Sequence, residues 1–125
     1  MNQKIEQSLE YELTPILCVS KLEQVQSSKF KVQSYSSKLK SYDNSMIVAY
    51  EPLFAIGSGV PDTPENADIM AQSIKKELGE IPVLYGGSVT SDNVKSFTSM
   101  PHIDGVLVGG ASLDPLEFLK IIQNA

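Results

Sequence analysis

MIVAYEPLFAIGSGVPDTPENADIMAQSIKKEL, residues 46–78, places a strand, a loop and a helix in one run. Met46–Tyr50 is an apolar run that reads as a buried strand. Glu51 comes next, a single ionisable residue between that run and a loop of small residues. Thr63 is placed to cap a helix, Pro64 to open its first turn and Glu65 to favour its dipole. Ala67, Met70, Ile74 and Leu78 keep the helical period, and Gly79 ends it.

The same unit recurs on either side. Residues 3–13 predict a helix with Ile5, Leu9 and Leu13 on one face. Thr14–Ser20 predicts a short strand whose core, Ile16, Leu17, Cys18 and Val19, is apolar on both faces. Residues 21–45 predict a loop and one helix, with Phe30, Val32, Tyr35 and Leu39 inward and the Ser/Lys run at 27–41 as a solvated face. Downstream come a strand at Ile81–Tyr85, a short helix near Asp92–Thr98 and a strand at Gly105–Gly109. Asp114 and Pro115 then open a last helix carrying Leu116, Leu119 and Ile122. Strands alternating with helices predict an α/β fold with a parallel sheet. Right-handed crossovers put every strand's C-terminal end on one side. The loops Ser20–Lys21, Glu51–Asp62, Gly86–Ser88 and Gly109–Ser112 therefore share that side. No linker breaks the chain, so residues 1–125 are expected to form a single domain.

Composition narrows the function classes. A net charge of −5 over 125 residues argues against nucleic acid, which asks for a basic face. A small anion remains compatible, because backbone N–H groups can hold it. No apolar run reaches membrane-span length, and the polar–apolar opening MNQKIEQSLEYEL does not read as a signal peptide. One cysteine, Cys18, allows no internal disulfide and fits a reducing, cytoplasmic setting. Cys18 reads as a core thiol, and Met46, Met70 and Met100 as core or boundary fillers. His102, the one histidine, reads as a surface residue before the last strand. With no clustered carboxylates beside it, no metal site is expected.

The loops carry the chemistry. Glycine pairs follow two strands, in YGGS (Tyr85–Ser88) and VGGAS (Val108–Ser112). Such a pair lets backbone approach a ligand, and its N–H groups beside a helix start suit a phosphate; the alternative for either pair alone is a tight turn. Phosphate in β/α barrels commonly binds at the seventh and eighth loops. Glu51 at a strand end suits a catalytic base or, alternatively, an ion-pair partner or cap. The small-residue loop AIGSG between Pro52 and Pro61 has the composition of a lid on two hinges. A lid excludes water from a carboxylate placed to take a proton from carbon beside a carbonyl.

AYEPLFAIGSG, YGGSV and DGVLVGGASL together resemble the triose-phosphate isomerase family, strongly from Ile47 onward and more loosely back to Lys4. That family is a TIM (β/α)8 barrel, and the match implies its second half, strands five to eight. The resemblance implies that Glu51 shuttles a proton between C1 and C2 of a triose phosphate in glycolysis and gluconeogenesis. It makes Pro52, Leu53 and Phe54 the first lid hinge, Ala55, Ile56, Gly57, Ser58 and Gly59 the lid, and Val60, Pro61 and Asp62 the second hinge. Gly57, Ser88, Gly109 and Gly110 would bind the phosphate, Tyr85 and Ser88 would hold the closed lid, and Cys18 would be a buried cysteine of the fifth strand. No cofactor is implied, and the family is homodimeric.

The pattern departs from the family in three places. Phe54 stands for the usual Trp, and Ser20 and Lys21 stand for the Gly and Glu that follow the cysteine. Strands one to four, with the Asn and Lys after strand one and the His after strand four, have no counterpart. A weakly active or inactive chain is the expectation. The alternatives are a non-catalytic half-barrel remnant or another phosphate-binding barrel enzyme, although the Glu-Pro-x-aromatic-Ala-Ile-Gly stretch does not fit the latter.

Overall fold

The computed structural model describes residues 2–26 and 46–125. The inward positions expected at Phe30, Val32, Tyr35 and Leu39 and the Ser/Lys run at 27–41 lie outside them. The elements in chain order are α1 (Asn2–Glu10), β1 (Ile16–Val19), β2 (Ile47–Tyr50), α2 (Pro64–Leu78), β3 (Val83–Tyr85), α3 (Val94–Thr98), β4 (Gly105–Val106), a 3-10 turn (Gly110–Leu113) and α4 (Pro115–Asn124). Residues 22–26 add a helical turn after β1.

The strands form one sheet in the order β1-β2-β3-β4, and every neighbouring pair is parallel. A four-stranded parallel sheet alternating with helices is the architecture of part of a TIM barrel. The register sorts side chains into rows. Leu17, Val48 and Val83 form one row, and Val19, Tyr50, Tyr85 and Val106 another. Between them runs the row Cys18, Ala49, Leu84 and Gly105, which points to the opposite face.

The first two rows make the core. Leu17, Val19, Val48, Tyr50, Val83 and Tyr85 join one cluster with Ala67, Ala71 and Ile74 of α2, Val94 and Phe97 of α3, and Ile121 of α4. The Tyr85 ring stacks on Phe97 at 4.0 Å between centroids. On the opposite face Ile16 and Cys18 are exposed and Leu84 is half-buried.

That asymmetry corrects the reading of β1 as apolar on both faces. Its burial alternates, exposed at Ile16 and Cys18 and buried at Leu17 and Val19. All four residues are apolar, so the period of two left no mark in the sequence. The first helix is also shorter than expected: it ends at Glu10, Glu12 turns through a φ of +57°, and Leu13 lies exposed. The last strand stops at Val106, although the Leu107 N–H still donates to the Tyr85 carbonyl at 2.8 Å.

The helix ends follow their sequence signals. Thr63 Oγ1 accepts from the Asn66 N–H, Pro64 opens α2, and Gly79, at a φ of +94°, donates its N–H to Lys75 O. Asp114 caps α4 by accepting from the Leu116 and Glu117 N–H groups. On α4 the buried residue is Ile121, whereas Leu116, Leu119 and Ile122, the positions expected to carry the helix, are exposed. A spacing of three marks an apolar stripe but not the side on which the core lies.

Candidate active site

Glu51 is fixed by its strand. Its N–H donates to Val19 O at 2.7 Å, continuing the β1–β2 ladder one residue past Tyr50. Alternation then turns its side chain to the same face as Ala49 and Cys18. There the carboxylate is half-buried and lies near the Cys18 thiol. Partial burial, and then the neighbouring Glu51 carboxylate, push the thiol up to about 11. The reading of Cys18 as a buried core thiol is thus corrected: it is exposed, on the face opposite the core rows of Leu17 and Val19.

Gly86 closes the other side of Glu51. Its N–H donates to Tyr50 O at 2.8 Å, which draws the end of β3 against β2. A Cβ there would lie 2.6 Å from Glu51 Cγ and 3.2 Å from Oε1. A Cβ on Gly87 would strike the Tyr85 hydroxyl and stand 3.1 Å from Ala55 Cβ. Close packing of Glu51 and its loop therefore accounts for this first glycine pair. Nothing lies within 4 Å of where a Cβ would stand on Gly57, Gly109 or Gly110.

The loop after Glu51 is tied down at its middle and its far end. Ser88 Oγ donates to Ala55 O at 2.7 Å and accepts from the Gly59 N–H at 3.1 Å. The Asp62 N–H donates to the Tyr85 hydroxyl at 2.8 Å. Gly57 and Gly59 turn the tip at φ of +62° and +75°, a region costly for other residues. Pro52 and Ala55 are buried, whereas Leu53, Phe54, Ile56 and Val60 point to solvent. A carboxylate at a strand end, a glycine pressed on its side chain and a flap pinned over the next loop can exclude water from an acid–base reaction.

The triosephosphate isomerase family model matches residues 1–125. The chain belongs to the triosephosphate isomerase family. It is similar to the triosephosphate isomerase of Mycoplasmoides gallisepticum, at 39% identity over 98% of this chain and 56% of that protein. Against that of Mesomycoplasma hyopneumoniae strain 7448 the figures are 43%, 100% and 54%. Against that of Thermus thermophilus they are 36%, 98% and 56%. The chain thus spans about half the length of the curated relatives it matches.

Of the positions that the family resemblance singled out, Ser88 bonds Ala55 and Gly59 and Tyr85 bonds Asp62, while Glu51 packs against Gly86. Gly109 and Gly110 follow β4 on the same side of the sheet and are exposed. The Gly109 carbonyl accepts from the N–H and the hydroxyl of Ser112, which folds the 3-10 turn back on itself. His102 is elsewhere: it precedes β4 and meets Asp68 of α2 at 2.9 Å. Among the described residues no group of three or more His, Cys, Asp or Glu could hold a metal, and no helix is long and apolar enough to cross a membrane.

Sequence reasoning missed three participants. The Cys18 contact needed the register of β1. Gly86 reads in the sequence as half of a glycine pair, and its pressure on Glu51 comes from the β2–β3 spacing. Asp62 reads in the sequence only as part of the second hinge.

Proposed function

We propose that these residues carry the proton-transferring half of a triosephosphate isomerase. Glu51 takes a proton from C1 of dihydroxyacetone phosphate. The electron pair left behind forms an enediolate; the C1 hydroxyl proton passes to the C2 oxygen, and the proton held by Glu51 is returned at C2, which gives glyceraldehyde 3-phosphate. The segment from Pro52 to Asp62 acts as the lid, anchored by Tyr85 and Ser88. Backbone N–H groups of Gly57, Gly109 and Gly110 and the Ser88 hydroxyl hold the phosphate. The chemistry needs no cofactor, and its setting is the cytoplasm.

One observation carries this reading: Glu51 stands at a strand end between Cys18 and Gly86, at the start of a loop that Ser88 and Tyr85 pin down. The family resemblance assigns the polarising Lys and His to four further βα units, which also hold most of its dimer contacts. Full turnover by this half therefore requires a polypeptide that supplies those units.

The test is isomerisation of glyceraldehyde 3-phosphate by the 125-residue chain, alone and mixed with such a polypeptide. The mixture is expected to turn over substrate, the chain alone to be weakly active at best. Glu51→Gln is expected to remove the mixture's activity. Turnover that survives that substitution would overturn the assignment of the base.

A further inference from the structure

Asp62 is the charged side chain that the fold buries among the described residues, at 8% exposure. A carboxylate in that position is costly unless its lone pairs are used. They are used on both sides. Oδ2 accepts from the Tyr50 hydroxyl at 3.2 Å. Oδ1 accepts from the Thr63 N–H at 2.8 Å and from Asn66 Nδ2 at 3.4 Å. Both of these donors lie at the start of α2, where the helix dipole favours a negative charge.

Tyr50 is the residue before Glu51, and its backbone is held in β2 by pairing with Val19 and Tyr85. Its ring is buried, 6.4 Å from that of Tyr85. Burial, and after it the charge and hydrogen bond of Asp62, push the Tyr50 hydroxyl up to about 12, so it stays a donor. The loop thus leaves the sheet just after Tyr50 and is tied back to that same residue 12 positions later. Tyr85 binds the Asp62 backbone and Tyr50 its carboxylate, so two hydroxyls on adjacent strands grip one residue.

We infer that Tyr50 and Asp62 form a latch, in which Asp62 is a positioning residue whose carboxylate holds the far end of the Glu51 loop down on the sheet. The loop then opens only by breaking a charge-assisted bond from the strand end that carries Glu51. What the latch serves rests on the lid reading above; the latch itself is a property of the folded chain.

Amide hydrogen exchange on the full chain, without substrate, tests it. Tyr50→Phe removes one hydroxyl and is expected to speed exchange of the Gly59 and Asp62 amides about tenfold, leaving the Ala71 amide of α2 unchanged. Asp62→Ala, which also frees the Thr63 N–H and Asn66, should speed them at least as much; the double variant should add nothing to Asp62→Ala, and Asp62→Asn, which keeps an acceptor oxygen, should recover part of the protection. Loop amides unchanged in Tyr50→Phe, additive effects in the double variant, or equal acceleration at Ala71 would overturn the latch; the last marks plain loss of stability. If one variant does not fold, the others carry the same comparison. Glu51→Gln silences proton transfer but leaves these rates in place, so a failed latch and a failed base give different results.

Discussion

Glu51 fills the space that a side chain at Gly86 would need, its Cγ lying 2.6 Å from the Cβ position. Cγ is near the root of the side chain, so a methyl group at 86 has to move the whole carboxylate. Gly86→Ala is expected to destabilise the fold by about 1–3 kcal/mol, as overpacking does. In the active assembly it should lower kcat about a hundredfold, the cost of misplacing a reacting group by about an ångström. Gly110→Ala, where nothing lies within 4 Å and the backbone is already in the 3-10 turn, is the control for stability. Denaturant unfolding compares the two, and equal stability would mean that Glu51 yields freely.

The contact between Cys18 and Glu51 predicts a pH dependence. The thiol's ordinary value is 9.0, and in the fold it is pushed up to about 11. The folded state therefore holds its proton where the unfolded chain has begun to lose it. Stability is complete below pH 9 and falls as the pH rises towards 11, where this contribution is gone. Tyr50, raised from 10.0 to about 12, extends the loss in the same direction. Alkylation by iodoacetamide reads the thiol directly, since only the thiolate reacts. Its rate should rise with a midpoint near 11 in the folded chain and at lower pH in Glu51→Gln, which removes the nearby charge. A midpoint near 9 in the unaltered chain would contradict the contact.

The chain has no tryptophan, and Phe54 on the loop is 60% exposed. Phe54→Trp should change stability by no more than about 0.5 kcal/mol, as exposed substitutions do. It makes the loop the sole source of tryptophan emission. Inorganic phosphate is expected to shift that emission with saturation if the loop closes on a phosphate. Adding Ser88→Ala, which removes the bonds to Ala55 and Gly59, should weaken the response. An emission that ignores phosphate would count against Gly57, Ser88, Gly109 and Gly110 as the phosphate cradle.

The sequence could be read where one residue type has one mechanical use. Thr63-Pro64 and Asp114-Pro115 start helices for local reasons, and both do so in the structure. Strand order followed from the alternation of elements and the parallel rule. What stayed hidden depends on neighbours. ILCV is apolar at every position, so which face of β1 lies open was decided by the helices that pack on Leu17 and Val19. Leu116 and Ile121 are equally apolar, and only the docking of α4 separates them. Asp62 looks like an ordinary loop acid until Tyr50 and Tyr85 are placed on adjacent strands. The position of Glu51 was legible; the groups pressed against it were not, because they come from β1 and from the loop after β3.

The exposed apolar residues of α4 and its preceding turn make the last prediction. Leu113, Leu116, Leu119 and Ile122 are 86%, 72%, 50% and 59% exposed. Covering one such leucine is worth about 1.5–3 kcal/mol, so four of them favour association strongly. The 125-residue chain is expected to self-associate with rising concentration. Leu116→Lys combined with Leu119→Gln should reduce that association with little change in the unfolding midpoint, because the core contact of α4 is made by Ile121. Sedimentation velocity and denaturant unfolding on the same samples check both halves. A pair of substitutions that unfolds the chain would show that these residues already pack inward. A chain that stays monomeric with leucines in place would show that apolar exposure here is too dispersed to drive contact.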